Sequence, residues 1–137
     1  MNAQGVLLDT GPLVALLSAN DKNHARARAM FAACVPPLRC CEAVIAEASF
    51  LMKKIHPNGP AEVVALARHG VFEVAISMPD HLAPVEALLR KYSDRPISFA
   101  DACLIRCAEI HDEARIVTFD RDFSVYKWSR NRSFDLL

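Results

Sequence analysis

The stretch Gly5-Val6-Leu7-Leu8-Asp9-Thr10-Gly11-Pro12 decides the fold class. A short apolar run ending in an aspartate, then a turn, then an apolar segment from Leu13, reads as a buried strand delivered into a helix. The same grammar returns in Ile116-Val117-Thr118-Phe119-Asp120. Between them strands and helices alternate. Leu38–Cys41 and Val71–Ile76 read as strands, and Ser133–Leu136 as a last edge strand. Helices are expected from Lys22 to about Cys34 with Ala25, Ala29 and Ala32 inward, from Cys41 to Ile55, from Pro60 to near Gly70, from Ser77 to Tyr92, and from Ser98 to about His111. Ser77-Met78-Pro79-Asp80 and Ser98-Phe99-Ala100-Asp101 both have capping-box spacing. Asp122–Tyr126 reads as a short helix. This alternation predicts an α/β domain spanning residues 1–137, a three-layer α/β/α sandwich with a mostly parallel central sheet.

Four carboxylates interrupt that apolar grammar. Asp9 and Asp120 end strands. Glu47 breaks the helical stripe Val44, Ala48, Leu51, and Asp101 heads the stripe Leu104, Ile105, Ala108. Each has a plain alternative. Asp9 can bond backbone amides before Pro12, Asp101 can complete the capping box of Ser98, and Asp120 and Asp122 suit a turn after a strand. Glu47 is harder to explain that way, because a mid-helix glutamate on an apolar stripe needs a cation, a proton or a ligand. No lysine or arginine lies within one turn of Glu47 or Asp101 on those faces, and Lys54 is two turns off. Carboxylates gathered to ~4 Å repel by roughly 4 kcal/mol per pair at an effective dielectric near 20. A hard divalent cation removes that penalty, and Mg²⁺ or Mn²⁺ suits an all-oxygen set. Such ions activate water and polarise phosphoryl oxygens. In parallel sheets ligands collect at the carboxyl ends of strands, where Asp9 and Asp120 sit.

Composition bounds the rest. The 137 residues are 53% hydrophobic and 23% charged, a well-packed globule rather than a disordered chain. Sixteen basic residues balance sixteen acidic ones, so net charge offers no argument for nucleic acid, and any basic surface must be local. Candidate phosphate contacts are Lys53, Lys54, Arg90, Lys91, Arg95, Arg121, Lys127, Arg130 and Arg132, each of which is otherwise a solvated surface charge. Tyr126 and Trp128 could stack on bases, though a tryptophan more often packs on a small domain. The five cysteines show no zinc-type spacing and read as buried reduced thiols of a cytoplasmic protein. The apolar run Ala29–Val35 is too short to span a bilayer, and the N-terminus lacks the basic start and cleavage site of a signal peptide. The five histidines form no His-x-x-x-His pair, which argues against zinc hydrolysis.

With these residues in view, the chain resembles the PIN-domain nucleases, close to the VapC-type toxins of toxin–antitoxin systems. The likeness rests on VLLDTGPLVALL (Val6–Leu17), EAVIAEASFLMKK (Glu42–Lys54), SFADACLIRCAE (Ser98–Glu109) and IVTFDRDF (Ile116–Phe123), in that order. It implies a metal-dependent ribonuclease with Asp9, Glu47, Asp101 and Asp120 as Mg or Mn ligands. Asp122 is a second candidate for the fourth place, and Thr10 and Thr118 would orient water or a neighbouring carboxylate. It implies RNA cleavage to 5′-phosphate and 3′-hydroxyl ends, a homodimer, and for toxin members a VapB-type antitoxin partner. A haloacid-dehalogenase phosphatase would need an aspartate where Gly11 stands, and a receiver domain an acidic pair near the first strand. A housekeeping RNA-processing nuclease, or a non-catalytic RNA-binding or regulatory module that retains the acidic pocket, is the alternative.

Overall fold

The computed structural model describes residues 2–137. In chain order its elements are β1 (Ala3–Gln4), β2 (Leu7–Leu8), α1 (Thr10–Leu17), α2 (His24–Ala32), β3 (Cys34–Val35), β4 (Leu38–Cys40), α3 (Glu42–Ile55), α4 (Gly59–Arg68) and β5 (Phe72–Val74). There follow a 3₁₀ turn (Met78–Asp80), α5 (Leu82–Lys91), α6 (Phe99–His111), β6 (Arg115–Val117), a 3₁₀ turn (Arg121–Ser124), β7 (Lys127–Trp128), β8 (Arg132–Ser133) and β9 (Asp135–Leu136).

Five strands form the central sheet in the order β5-β4-β2-β6-β9, and every neighbouring pair is parallel. From β2 the chain steps outward through β4 to β5, then crosses back to β6 on the other side of β2 and on to β9. Right-handed crossovers place the helices of the first half on one face and those between β5 and β6 on the other. The result is the expected α/β/α arrangement. Strand order reverses at the β2–β6 seam, where Leu7 pairs with Ile116 and Leu8 with Val117. Such reversal points open a crevice beyond the strands' carboxyl ends.

The core explains the element choices. Val6, Leu7, Leu8, Ile116 and Val117 are fully buried, the continuous apolar signature of strands covered on both faces. α3 buries Val44, Ala48 and Met52, and α6 buries Leu104, Ile105, Cys107 and Ala108. All five cysteines are buried and unbridged. Among the described residues no helix is long and apolar enough to cross a membrane.

Some expectations need correction. α2 buries Ala27, while Ala25, Ala29 and Ala32 are exposed. Alanine-rich helices carry so little hydrophobic contrast that the inward phase is poorly marked. Ser77 makes no capping bond, and a 3₁₀ turn precedes α5 because Pro79 and Pro84 break the run. The strands β1, β3 and β7 went unpredicted, and the expected Ser133–Leu136 strand divides between the end of β8 and β9. Such two-residue pairings are too short to show any alternation.

Candidate acidic cleft

Asp9 leaves the end of β2 with its N–H donating to the Val117 carbonyl of β6 at 3.0 Å. Its side chain then caps α1, with Oδ1 accepting the Thr10 N–H at 2.8 Å. Its other oxygen, Oδ2, accepts the Thr118 hydroxyl at 2.6 Å. Thr118 Oγ1 in turn accepts the Asp120 N–H at 2.9 Å, so one hydroxyl ties Asp9, at the end of β2, to Asp120, at the cap of the 3₁₀ turn after β6. Asp101 completes a reciprocal capping box with Ser98. Each accepts the other's backbone N–H at 3.0 Å, which fixes the carboxylate at the first turn of α6. The turn-forming and capping alternatives for Asp9 and Asp101 therefore hold together with their placement at a shared cleft. From α3, Glu47 Oε2 accepts the Thr10 hydroxyl at 2.9 Å.

These bonds bring Asp9, Thr10, Glu47, Asp101 and Asp120 to the wall of one cleft of about 490 Å³ at the β2–β6 reversal point. Gly11, Leu51, Pro96, Ser98 and Phe119 complete it. Asp9 and Asp101 are each 7% exposed, and Asp120 is half-buried. Glu47 departs from expectation. It is exposed, because the buried stripe of α3 runs through Val44, Ala48 and Met52 and turns Glu47 into the cleft rather than the core. Leu51, expected inside, is 39% exposed for the same reason. Asp122 lies in the 3₁₀ turn, where its N–H donates to Asp120 Oδ1 at 2.9 Å, and it does not line the cleft.

The electrostatics record the crowding. Burial pushes the Asp9 carboxyl up from 3.8 to about 6. The hydrogen bonds from Thr118 and Thr10 oppose the rise, and the charges of Asp101 and Asp120 add to it. Burial also raises Asp101, with the Ser98 backbone bond opposing and Asp120 and Glu47 adding. Among the described residues no lysine or arginine pairs with any of the four. They share a field without forming a closed cage, since no three Asp, Glu, His or Cys side chains stand at mutual ligand distance.

Sequence reasoning passed over Tyr126 as a neighbour of this site. It is fully buried, its hydroxyl has no partner among the described residues, and burial together with the charges of Asp101, Asp122 and Asp120 raises it above its ordinary value. It and Trp128, 3% exposed, are core residues rather than stacking platforms. Of the candidate phosphate contacts, Arg90 pairs with Glu86 and Arg132 with Asp112, and Lys127 donates to Ser133 Oγ. A second hollow, about 330 Å³ beside Gly5, Arg39 and Glu73, opens at the amino ends of the strands and holds none of the four carboxylates.

Comparison with known proteins adds the following. The PIN domain model matches residues 6–129. The crystal structure of Mycobacterium tuberculosis VapC20, described as a sarcin–ricin loop cleaving toxin, superposes with a TM-score of 0.76 at 22% identity, covering 90% of this chain and 96% of that one. No curated protein sequence matches.

Proposed function

Because this chain belongs to the PIN-domain family, we propose that it is a divalent-metal-dependent ribonuclease whose site is the acidic cleft at the β2–β6 seam. The observation that carries the reading is the convergence of Asp9, Glu47, Asp101 and Asp120, distant in sequence, on one cleft, with no lysine or arginine among the described residues paired to any of them. The donor set is all oxygen, and two of its members are pushed toward protonation by burial and mutual repulsion. Those properties fit Mg²⁺ or Mn²⁺.

In this reading Asp9, Glu47, Asp101 and Asp120 would hold the ion, directly or through its waters, and the ion would supply Lewis acidity toward the phosphate and a more acidic water. The chain's own groups do the rest. Thr118 orients Asp9 and fixes the Asp120 backbone, and Thr10 orients Glu47. The water oxygen bonds to phosphorus, the P–O3′ bond breaks, and the 3′ oxygen takes up a proton, leaving 5′-phosphate and 3′-hydroxyl ends. Carboxylates are the bases on the cleft wall available to receive the proton from water.

The fold likeness to a VapC toxin supports, by analogy of fold alone, a toxin role with a VapB-type antitoxin as partner. We further propose a homodimer. α3 and α4, which pack together, leave Phe50, Ile55 and Val64 exposed at 65, 54 and 54%, apolar side chains that a second copy would cover.

Incubation of the purified protein with RNA tests the central reading. Cleavage should stop in EDTA, return with Mg²⁺ or Mn²⁺, and be absent in Asp9→Asn and Asp101→Asn. RNA binding without cleavage in either metal would favour a non-catalytic module instead. Cleavage that persists in EDTA would refute the metal assignment.

A further inference from the structure

We infer that Arg26, stacked on Phe119 at the rim of the acidic cleft, is a phosphate-binding residue that draws RNA onto a surface otherwise repellent to it. The inference rests on the ribonuclease reading and names the residue that makes substrate binding compatible with four carboxylates.

An RNA strand entering this cleft brings negative charge toward negative charge. At ~4 Å each such encounter costs roughly 1 kcal/mol even in bulk water, and more where the wall is desolvated. The metal would offset part of that repulsion, and a cation at the rim would offset more of it. Phe119 lines the cleft between Thr118 and Asp120. Its ring is held in place: a Cβ added to Gly11 would lie 3.2 Å from Phe119 Cδ2, so the ring rests against bare backbone at the start of α1. Arg26 of α2 covers the ring, with Cζ 4.9 Å from the centroid. The helix that carries it is pinned to α1 where the His24 ring bonds the Ala15 carbonyl at 2.8 Å.

Arg26 is exposed, and among the described residues it makes no hydrogen bond and no ion pair. Arg90, Arg106, Arg115 and Arg132, in contrast, are each held by a carboxylate. The guanidinium lies over the ring face, and its N–H groups have no acceptor among the described residues. Those groups form a planar fork matched to two phosphate oxygens. The aromatic contact thus positions the side chain while its donors remain available to ligand. A purely structural role would be worth only about 0.5–1 kcal/mol at an exposed site, and the two roles separate by measurement.

The test is fluorescence anisotropy of a short labelled single-stranded RNA, titrated with Asp9→Asn protein to prevent cleavage, and with the same protein carrying Arg26→Ala or Arg26→Lys. Arg26→Ala should weaken binding about tenfold and lower the slope of log K against log salt by about one. Arg26→Lys, which keeps charge but loses the fork, should fall between. With Asp9 intact, Arg26→Ala should raise KM and leave kcat. Unchanged affinity and slope in Arg26→Ala, or a lowered melting temperature with an unchanged slope, would overturn the assignment while leaving the nuclease standing. Failure of Asp9→Asn protein to bind RNA, together with no cleavage by the unaltered chain, would remove the ribonuclease reading and this one with it.

Discussion

Asp9 is a cleft carboxylate that burial holds well above its ordinary range. Its folded-state value, about 6, lies above the 3.8 of an ordinary aspartate, chiefly through burial. As pH rises between those values the unfolded chain releases its proton first, so the folded state loses stability over that window and carries the full penalty above it. The penalty at neutral pH is roughly 3 kcal/mol. In EDTA at pH 7, Asp9→Asn should therefore melt higher than the unaltered protein, and the advantage should shrink as pH falls toward 4. Thermal melts across that range check both signs. Thr118→Val acts in the opposite sense. It removes the 2.6 Å bond that lowers Asp9, so the Asp9 carboxyl should titrate higher, as carboxyl NMR would show, and metal affinity should fall. The strand-end position of Asp9 was legible in sequence because an ionic group ending an apolar run is unmistakable. β6, however, stops at Val117, and Asp120, expected to end that strand, instead caps the 3₁₀ turn that follows. The exposure of Glu47 was not legible, since Leu51 and Met52 are adjacent and only packing against the sheet decides which of them faces inward.

At the scale of elements, boundaries were clearest where chemistry punctuates the chain. α3 begins after Cys41 and ends at Ile55 before His56-Pro57, and α6 begins at the Ser98 cap, as read from sequence. Ser77 offered the same spacing as Ser98 and makes no cap, because motif spacing cannot show whether the following turn is α or 3₁₀. Ser98→Ala should cost about 1 kcal/mol of stability from the lost cap. It should lower activity further by loosening the first turn of α6, where the Asp101 N–H donates to the Ser98 hydroxyl. The α3–α4 corner depends on Gly59. A Cβ there would lie 2.3 Å from the Met52 carbonyl oxygen, a contact backbone cannot relieve. Gly59→Ala should destabilise by roughly 1–3 kcal/mol in urea unfolding while leaving the cleft chemistry intact in the folded fraction.

The whole molecule gathers its carboxylates through topology. The β5-β4-β2-β6-β9 order makes β2 and β6 neighbours, which the sequence could suggest but not establish, since pairing is a property of the sheet and not of either strand. Once they pair, Asp9 and Asp120 face one crevice, and the caps of α1 and α6 add Asp101 and the Thr10–Glu47 bond. The proposed homodimer also belongs to this scale. Val64→Glu should shift the sedimentation coefficient from dimer to monomer with the fold preserved, and a species unchanged by the mutation would place the contact elsewhere.

The most direct test is titration of the purified protein with Mn²⁺, following free ion by electron paramagnetic resonance. The unaltered chain should bind Mn²⁺, with Mg²⁺ competing. Asp9→Asn and Asp101→Asn, folded by circular dichroism, should each bind at least tenfold more weakly. Equal affinity in all three proteins, or no binding by the unaltered one, would contradict the account.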